Sequence, residues 1–279
     1  MRTLSPGEPQ HTIDIGFYDN AGLQLRFEPA RDDCFRIVRH DVDMDDRPDF
    51  DATTRREMVH RHMSNEITSL DIAAACLVEF NDAPWELRME LARQCWDESR
   101  HIRVLHRRLQ EMGGYKGEFP ISAFEWSVTC ALDNLPGRLA TQNRTFEAGA
   151  MDVVAGLIRT VRECGDAATA DVLDGILADE VQHVRFANRW IKRLARENGR
   201  VLLHVAQAIR FLEAANARFV AKAGEVNKLG KTFEDPSLRV PAVNIEDRKL
   251  AEFNDAEIAE ILRQAGFRTL VSDVEEKGP

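Results

Sequence analysis

Asp97-Glu98-Ser99-Arg100-His101 and Asp179-Glu180-Val181-Gln182-His183 are the two stretches on which the reading of this chain turns. On a helix, E-x-x-H puts a carboxylate and an imidazole on one face with Cβ atoms about 5–6 Å apart, close enough to share one metal ion. The pattern alone is weak, and the chain holds four matches: Glu8/His11, Glu57/His60, Glu98/His101 and Glu180/His183. The first sits beside Pro9 in an irregular stretch. In the second, Glu57 precedes Glu66 by nine residues, half a turn out of phase, so it is expected to face away from the site.

The other two matches gain weight from their surroundings. Each follows a glutamate on the preceding helix at nearly the same distance: Glu66 to Glu98 is 32 residues, and Glu147 to Glu180 is 33. The midpoint of the first pair falls in Asn81-Asp82-Ala83-Pro84, and that of the second beside Gly165-Asp166, both turn sequences. Each helical hairpin therefore brings its two glutamates level, roughly 24 Å from the turn at 1.5 Å per residue. Four carboxylates at that depth would repel one another in a poorly solvated place, and two divalent cations remove the difficulty.

Outward from these boxes, helical periodicity begins near Thr53 and carries Met63, Ile67, Leu70, Ala74 and Leu77 at three- and four-residue steps to Phe80. A second helix runs from Pro84 to Met112 and stops at Gly113-Gly114. Residues 115–137 form a connection with a short helix through 123–132. A third long helix is expected from Pro136 to Cys164, a fourth from Ala167 to Glu197 and a fifth from Val201 to Ala223. Residues 224–247 read as loop, and Asn254 with Glu257 opens a last helix through a capping box. Residues 1–52 carry Pro6, Pro9, Pro29 and Pro48 and read as an extended arm with a short strand or hairpin. There Asp41, Asp43, Asp45 and Asp46 beside His40 form a solvated charge run or a minor metal site. The expected division is thus an arm over 1–52, a di-metal four-helix bundle with one long crossover over 53–199, and a C-terminal helical extension over 200–279.

A net charge of −10 and a pI near 5.4 give no broad electrostatic footprint for nucleic acid or an anionic membrane. No stretch approaches the roughly 18 uninterrupted apolar residues of a membrane span. Five cysteines without a C-x-x-C pair suggest neither a disulfide framework nor a thiolate zinc site, so reduced thiols in a cytoplasmic protein are expected.

Glu66, Glu98, His101, Glu147, Glu180 and His183 together resemble the di-iron carboxylate set of the ferritin-like superfamily, over residues 53–197. The overall layout is most similar to a group of bacterial ferritin-like proteins catalogued as a domain of unknown function. The resemblance implies an all-α fold and two Fe ions, with Mn or mixed Mn/Fe as alternatives. It further implies O2 as co-substrate in an oxidase or oxygenase acting on a small molecule, with an external electron donor. Glu98/His101 and Glu180/His183 would be terminal ligands, and Glu66 and Glu147 terminal or bridging. Both boxes are also similar to the D-E-x-R-H boxes of di-iron monooxygenases, which implies that Asp97 and Asp179 each hold the histidine of the opposite box. Arg100 is retained, but Gln182 stands where the second arginine would be.

His62, one turn before Glu66, is a candidate extra ligand or substrate contact, and Gln94, Asn143, Met151 and Phe186 are candidate pocket walls. The extra histidine of aryl-amine N-oxygenases would fall at Ile176, so that pattern is not met. Tyr18 and Tyr115 lie off the ligand helices, which argues against a tyrosyl radical; Trp96, Trp126 and Trp190 are conceivable electron relays. Two alternatives stay open, an iron-oxidising storage protein, which a shell of about 24 subunits would favour, and a tRNA-modifying hydroxylase; a homodimer is one assembly the chain could form.

Overall fold

The computed structural model describes residues 17–20, 23–26, 29, 31–44, 50–226 and 243–264, and these are predominantly helical. Glu8/His11, Asp45 and Asp46 lie outside the described residues. The frame consists of helical hairpins. Helix α1 (Ala52–Glu79) opens on Asp51, whose carboxylate accepts from the Thr54 amide at 2.8 Å, and it packs along α2 (Trp85–Glu111). Helix α2 ends where Gly113 takes a left-handed φ of +79° and the Gly114 amide reaches back to the Leu109 carbonyl at 2.9 Å.

The crossover to the second hairpin carries α3 (Phe124–Cys130) and a short strand. Strands β1 (Phe17–Asn20) and β2 (Leu23–Arg26) pair antiparallel as a hairpin. Strand β3 (Ile37–Val38) pairs in parallel with β4 (Ile121–Ser122), tying the N-terminal segment to the crossover. Two-residue strands carry no readable alternation, so this bridge was not visible in the sequence. Gly117 is required here: at φ +87° a Cβ would fall 2.3 Å from the Cys34 carbonyl oxygen.

The long helix expected over 136–164 is present over Leu135–Glu163, with a π-helical turn inside it that was not expected. Helix α4 (Leu135–Thr141), capped by Asn134, runs into a π-helical turn over Gln142–Glu147 and continues as α5 (Ala148–Glu163). Thr145 Oγ donates to the Ala140 carbonyl at 2.8 Å within the widened turn. Such turns hold one extra residue per turn and concentrate at functional sites. Helix α5 ends at Gly165 (φ +78°), and Asp166 caps α6 (Ala167–Glu197), which packs on both α5 and α2. Helix α7 (Arg200–Val226) lies on α4. Helix α8 (Ile245–Leu250) begins within the stretch expected to be loop and runs past its end; six residues are too few to show a period. The capping box of α9 (Asp255–Gln264) forms reciprocally, at 2.8 and 2.9 Å.

Apolar clusters bracket the carboxylate layer. On one side Ile72, Leu87, Leu91, Leu139, Ala187 and Trp190 pack together; on the other Val59, Met63, Leu105, Leu109 and Ile176 do. Helices α1, α2 and α6 each pass from one cluster through a polar turn into the other, so the ligand residues lie in a layer closed at both ends by hydrocarbon. Among the described residues no helix is long and apolar enough to cross a membrane. The five cysteines are free, and Cys34 and Cys164 are exposed rather than buried.

Candidate metal centre

The six glutamates and histidines singled out in the sequence are all buried and converge. Their donor atoms form two quartets, each with all four atoms within 4.8 Å of one another: Glu66, Glu98, His101 and Glu180 in one, Glu98, Glu147, Glu180 and His183 in the other. Glu98 and Glu180 belong to both. Glu66 and Glu147 each belong to one quartet. Sequence spacing levels the four carboxylates along the helix axes but says nothing of how α2 and α6 approach sideways, and that approach decides which pair is shared.

His101 Nδ1 lies 3.0 Å from Glu98 Oε2, 3.1 Å from Glu66 Oε2 and 3.4 Å from Glu180 Oε1. A single ring nitrogen can donate only one proton, and Glu180 Oε1 is buried without a hydrogen-bond partner. Three carboxylates therefore crowd a point that one proton cannot satisfy. Such a cluster could hold a metal ion, and an O-rich, two-imidazole donor set is of the kind that suits iron or manganese.

The far side of each imidazole is held by the opposite box. His101 Nε2 is 3.1 Å from Asp179 Oδ2, and His183 Nε2 is 3.4 Å from Asp97 Oδ2. Each ring thus turns Nδ1 to the cluster and its Nε2–H to a carboxylate, which fixes its tautomer and raises its basicity. Arg100 joins the two aspartates, donating to Asp97 at 2.5 Å and Asp179 at 2.9 Å. Where Gln182 is exposed and takes no part, Arg93 stands 3.3 Å from Asp97.

Electrostatics follow this geometry. Burial pushes the Glu98 carboxyl well above the ordinary range, with Glu180 and Glu66 adding repulsion. Burial, then Glu180, raises Glu147 to about 8. Burial opposes charge on His101, yet hydrogen bonds to Glu66 and Glu98 outweigh it and hold the ring at about 11. His183 is raised likewise, by Glu180 and Asp97 against its burial. Burial of Glu66 is overcome by His101 and His62, which keep its carboxyl well below the usual value. Glu98, Glu147 and both imidazoles thus favour their protonated forms, and Glu66 its charged one.

The flanking residues sort themselves by contact. Gln94 donates to Glu147 at 2.5 Å and to Glu98 at 3.1 Å; Asn143 donates to Glu147 at 2.8 Å and to Gln94 at 3.0 Å. They orient ligands rather than line a pocket. The π-helical turn sets Asn143 and Glu147 one widened turn apart on a common face. Met151 and Phe186 are core, not pocket wall: Met151 packs with Val181, Val184 and Phe253, and Phe186 with Ala187 and Trp190. Glu57 pairs with Arg61, and His60 accepts from the Gly117 amide at 2.9 Å between Phe35 and Phe119, so this match lies outside the cluster. His40 is structural, stacked on Phe219 and 3.1 Å from Asn216.

A cavity of about 250 Å³ opens onto Glu66, Glu147 and Glu180. His62 lines it, with Nε2 2.9 Å from Glu66 Oε1 in a contact outside hydrogen-bond alignment. Glu125 of α3 also lines it and accepts from Gln142 at 2.6 Å; Gln142 reaches Ser69 at 3.0 Å, and burial raises Glu125 to about 8. Sequence reasoning missed Glu125 and Gln142. A seven-residue helix in a crossover gives no periodicity to phase Glu125, and Gln142 sits in a turn that no local sequence marks.

Among known proteins, a 104-residue stretch is 30% identical to an uncharacterized protein of Haemophilus influenzae (strain ATCC 51907 / DSM 11121 / KW20 / Rd). The match takes in 37% of this chain and 36% of that protein. No solved structure matches the chain. The profile described as "Protein of unknown function (DUF455)" matches residues 8–259, spanning both hairpins, the crossover and the residues of both donor quartets, and the chain belongs to that family.

Proposed function

We propose that this is a ferritin-like di-iron protein in which Glu66, Glu98, His101, Glu147, Glu180 and His183 hold two iron ions for an O2-dependent oxidation of a small molecule. The observation that carries the reading is the pair of buried donor quartets sharing Glu98 and Glu180. The two hairpins, α1/α2 and α4–α5/α6, each contribute one lone glutamate and one E-x-x-H, the pattern of the ferritin-like bundle.

Glu66, Glu98, His101, Glu147, Glu180 and His183 would hold the pair of irons, which when ferrous would supply electrons to O2. The chain's own residues prepare the place. Asp97 and Asp179 fix the imidazoles, and Arg100 holds both aspartates in position. Gln94 and Asn143 aim Glu147. Hydrocarbon above and below the layer excludes water from the reacting atoms. The cavity is at the small end of ligand pockets, and it fits a small organic substrate brought against the Glu66, Glu147 and Glu180 side. His62, at the cavity wall 2.9 Å from Glu66 Oε1, faces a substrate brought against the ligands. Free thiols on the surface and in the core accord with a reducing, cytoplasmic setting.

A second reading, iron oxidation for storage, draws on the acidic lining of the same cavity, where Asp41 and Glu125 offer a path for ferrous ions. Anaerobic loading with Fe(II), metal analysis and stopped-flow mixing with O2 test both. About two irons per chain and a transient absorbance on mixing are expected. Fewer than about two metals with no O2-dependent change would overturn the di-iron reading, and continued uptake of many irons per chain would select storage.

A further inference from the structure

Helix α2 carries its site residues inward and a second pattern outward. Leu87, Leu91, Gln94 and Glu98 are buried, while Trp85, Met89 and Trp96 are 66%, 51% and 64% exposed, with Ala92 exposed between them. Positions 85, 89, 92 and 96 follow the four-three-four spacing of a coiled-coil seam, and they form one stripe opposite the metal-binding face. Two exposed tryptophans and a methionine in such a row are unusual on a monomer's surface. We propose that this stripe is the seam of a two-fold homodimer, in which α2 packs antiparallel on α2 of a second copy.

Charge complementarity selects that occupant. The stripe is centred between positions 90 and 91, so a two-fold axis there sets Trp85 against the partner's Trp96 and Met89 against the partner's Ala92. Acidic side chains flank one end, Glu86 on the helix and Asp82 in the turn before it; basic ones flank the other, Arg93 and Arg103. All four are exposed. Glu86 and Arg93 are seven residues apart, so they sit at equivalent places beside the seam. Antiparallel pairing about this axis brings Glu86 beside the partner's Arg93, and Arg93 beside the partner's Glu86, while Asp82 faces the partner's arginine end. A parallel pairing would leave Glu86 and Arg93 facing the partner's other flank, so this complementarity would not form. The interface is isologous and closes after two copies.

Sedimentation of the full chain over a range of concentrations tests the proposal directly. A species of twice the 31.6 kDa chain mass is expected, with Trp96→Ser and Trp85→Ser each weakening association at least tenfold while leaving helical content unchanged. Glu86→Arg alone places arginine against arginine, and Arg93→Glu alone places glutamate against glutamate, so each is expected to be largely monomeric. Mixed together, the two variants are complementary at both contacts and should form a one-to-one heterodimer. Arg93 also touches Asp97, so should Arg93→Glu fail to fold, Glu86→Arg and the tryptophan variants decide. A wild-type chain that stays monomeric at all concentrations overturns the proposal. So does a dimer indifferent to Trp85, Trp96 and Glu86.

Discussion

Glu57 and Glu66 lie nine residues apart on one helix, and only Glu66 reaches the cluster. The half-turn difference in phase that separates them makes a paired prediction. Glu147→Ala removes a donor that no other residue of its quartet replaces, so metal content is expected to fall from about two per chain to one or none. Glu57→Ala breaks a partly buried pair with Arg61 and costs on the order of 1–3 kcal/mol of stability, but it leaves metal content unchanged. Equal loss in both would refute the facing of α1. Asp179→Asn keeps size and hydrogen bonding while removing the charge that holds His101 Nε2–H, 3.1 Å away. Metal affinity is expected to drop about 10–100-fold, the usual cost of losing a partner behind a ligand histidine. Titration with Mn(II), followed by the signal of the free ion, measures it. Unaltered affinity would mean that Asp179 serves Arg100 rather than the imidazole.

Short α8 acts as a latch on α5. Arg248 is buried and donates to both oxygens of Asp152, at 2.6 and 3.1 Å, and to the Ala148 carbonyl at 3.1 Å. Arg248→Ala leaves Asp152 buried without its countercharge, a loss of about 3–5 kcal/mol; Arg248→Met with Asp152→Leu should recover most of it. Thermal unfolding of the three variants checks this, and a single variant as stable as the double would deny the latch. The same element shows where sequence reading ends. Long helices such as α2 and α6 were legible because many residues vote for one period, and the 32- and 33-residue spacings levelled four glutamates across two turns. Helix α8 is too short to vote. The π-helical turn at Gln142–Glu147 is written in no residue type, and it arises where α4, held by its Asn134 cap and by α7, must meet α5 with Glu147 facing inward. Likewise the inward direction of Gln94 was legible from its phase with Glu98, whereas its bond to Glu147 depends on how the two hairpins dock.

The protonation of the metal-free cluster couples the site to the stability of the entire chain. Glu147 titrates near 8 when folded against an ordinary 4.5, and Glu98 shifts the same way. His101 is held near 11 against 6.5. Between pH 4.5 and 8 the folded chain therefore keeps protons that the unfolded chain releases, and linkage makes stability fall as pH rises. The part due to Glu147 is fully present below 4.5 and lost as pH passes 8; that due to His101 is present below 6.5 and lost only as pH passes 11. Glu66 and Asp97, depressed when folded, act in the opposite sense, but their stabilisation is already complete above pH 5. The metal-free protein is accordingly expected to lose melting temperature from pH 5 to 8, by an amount on the order of 5 °C or more. If the cluster holds metal as proposed, the slope inverts. Mn(II) must displace the protons on Glu98, Glu147 and the two imidazoles, so its binding, and the stability it confers, strengthens over the same range. Melting curves at pH 5, 6, 7 and 8, with chelator and with excess Mn(II), should diverge progressively as pH rises. Parallel curves would mean that the cluster keeps no protons for the metal to displace.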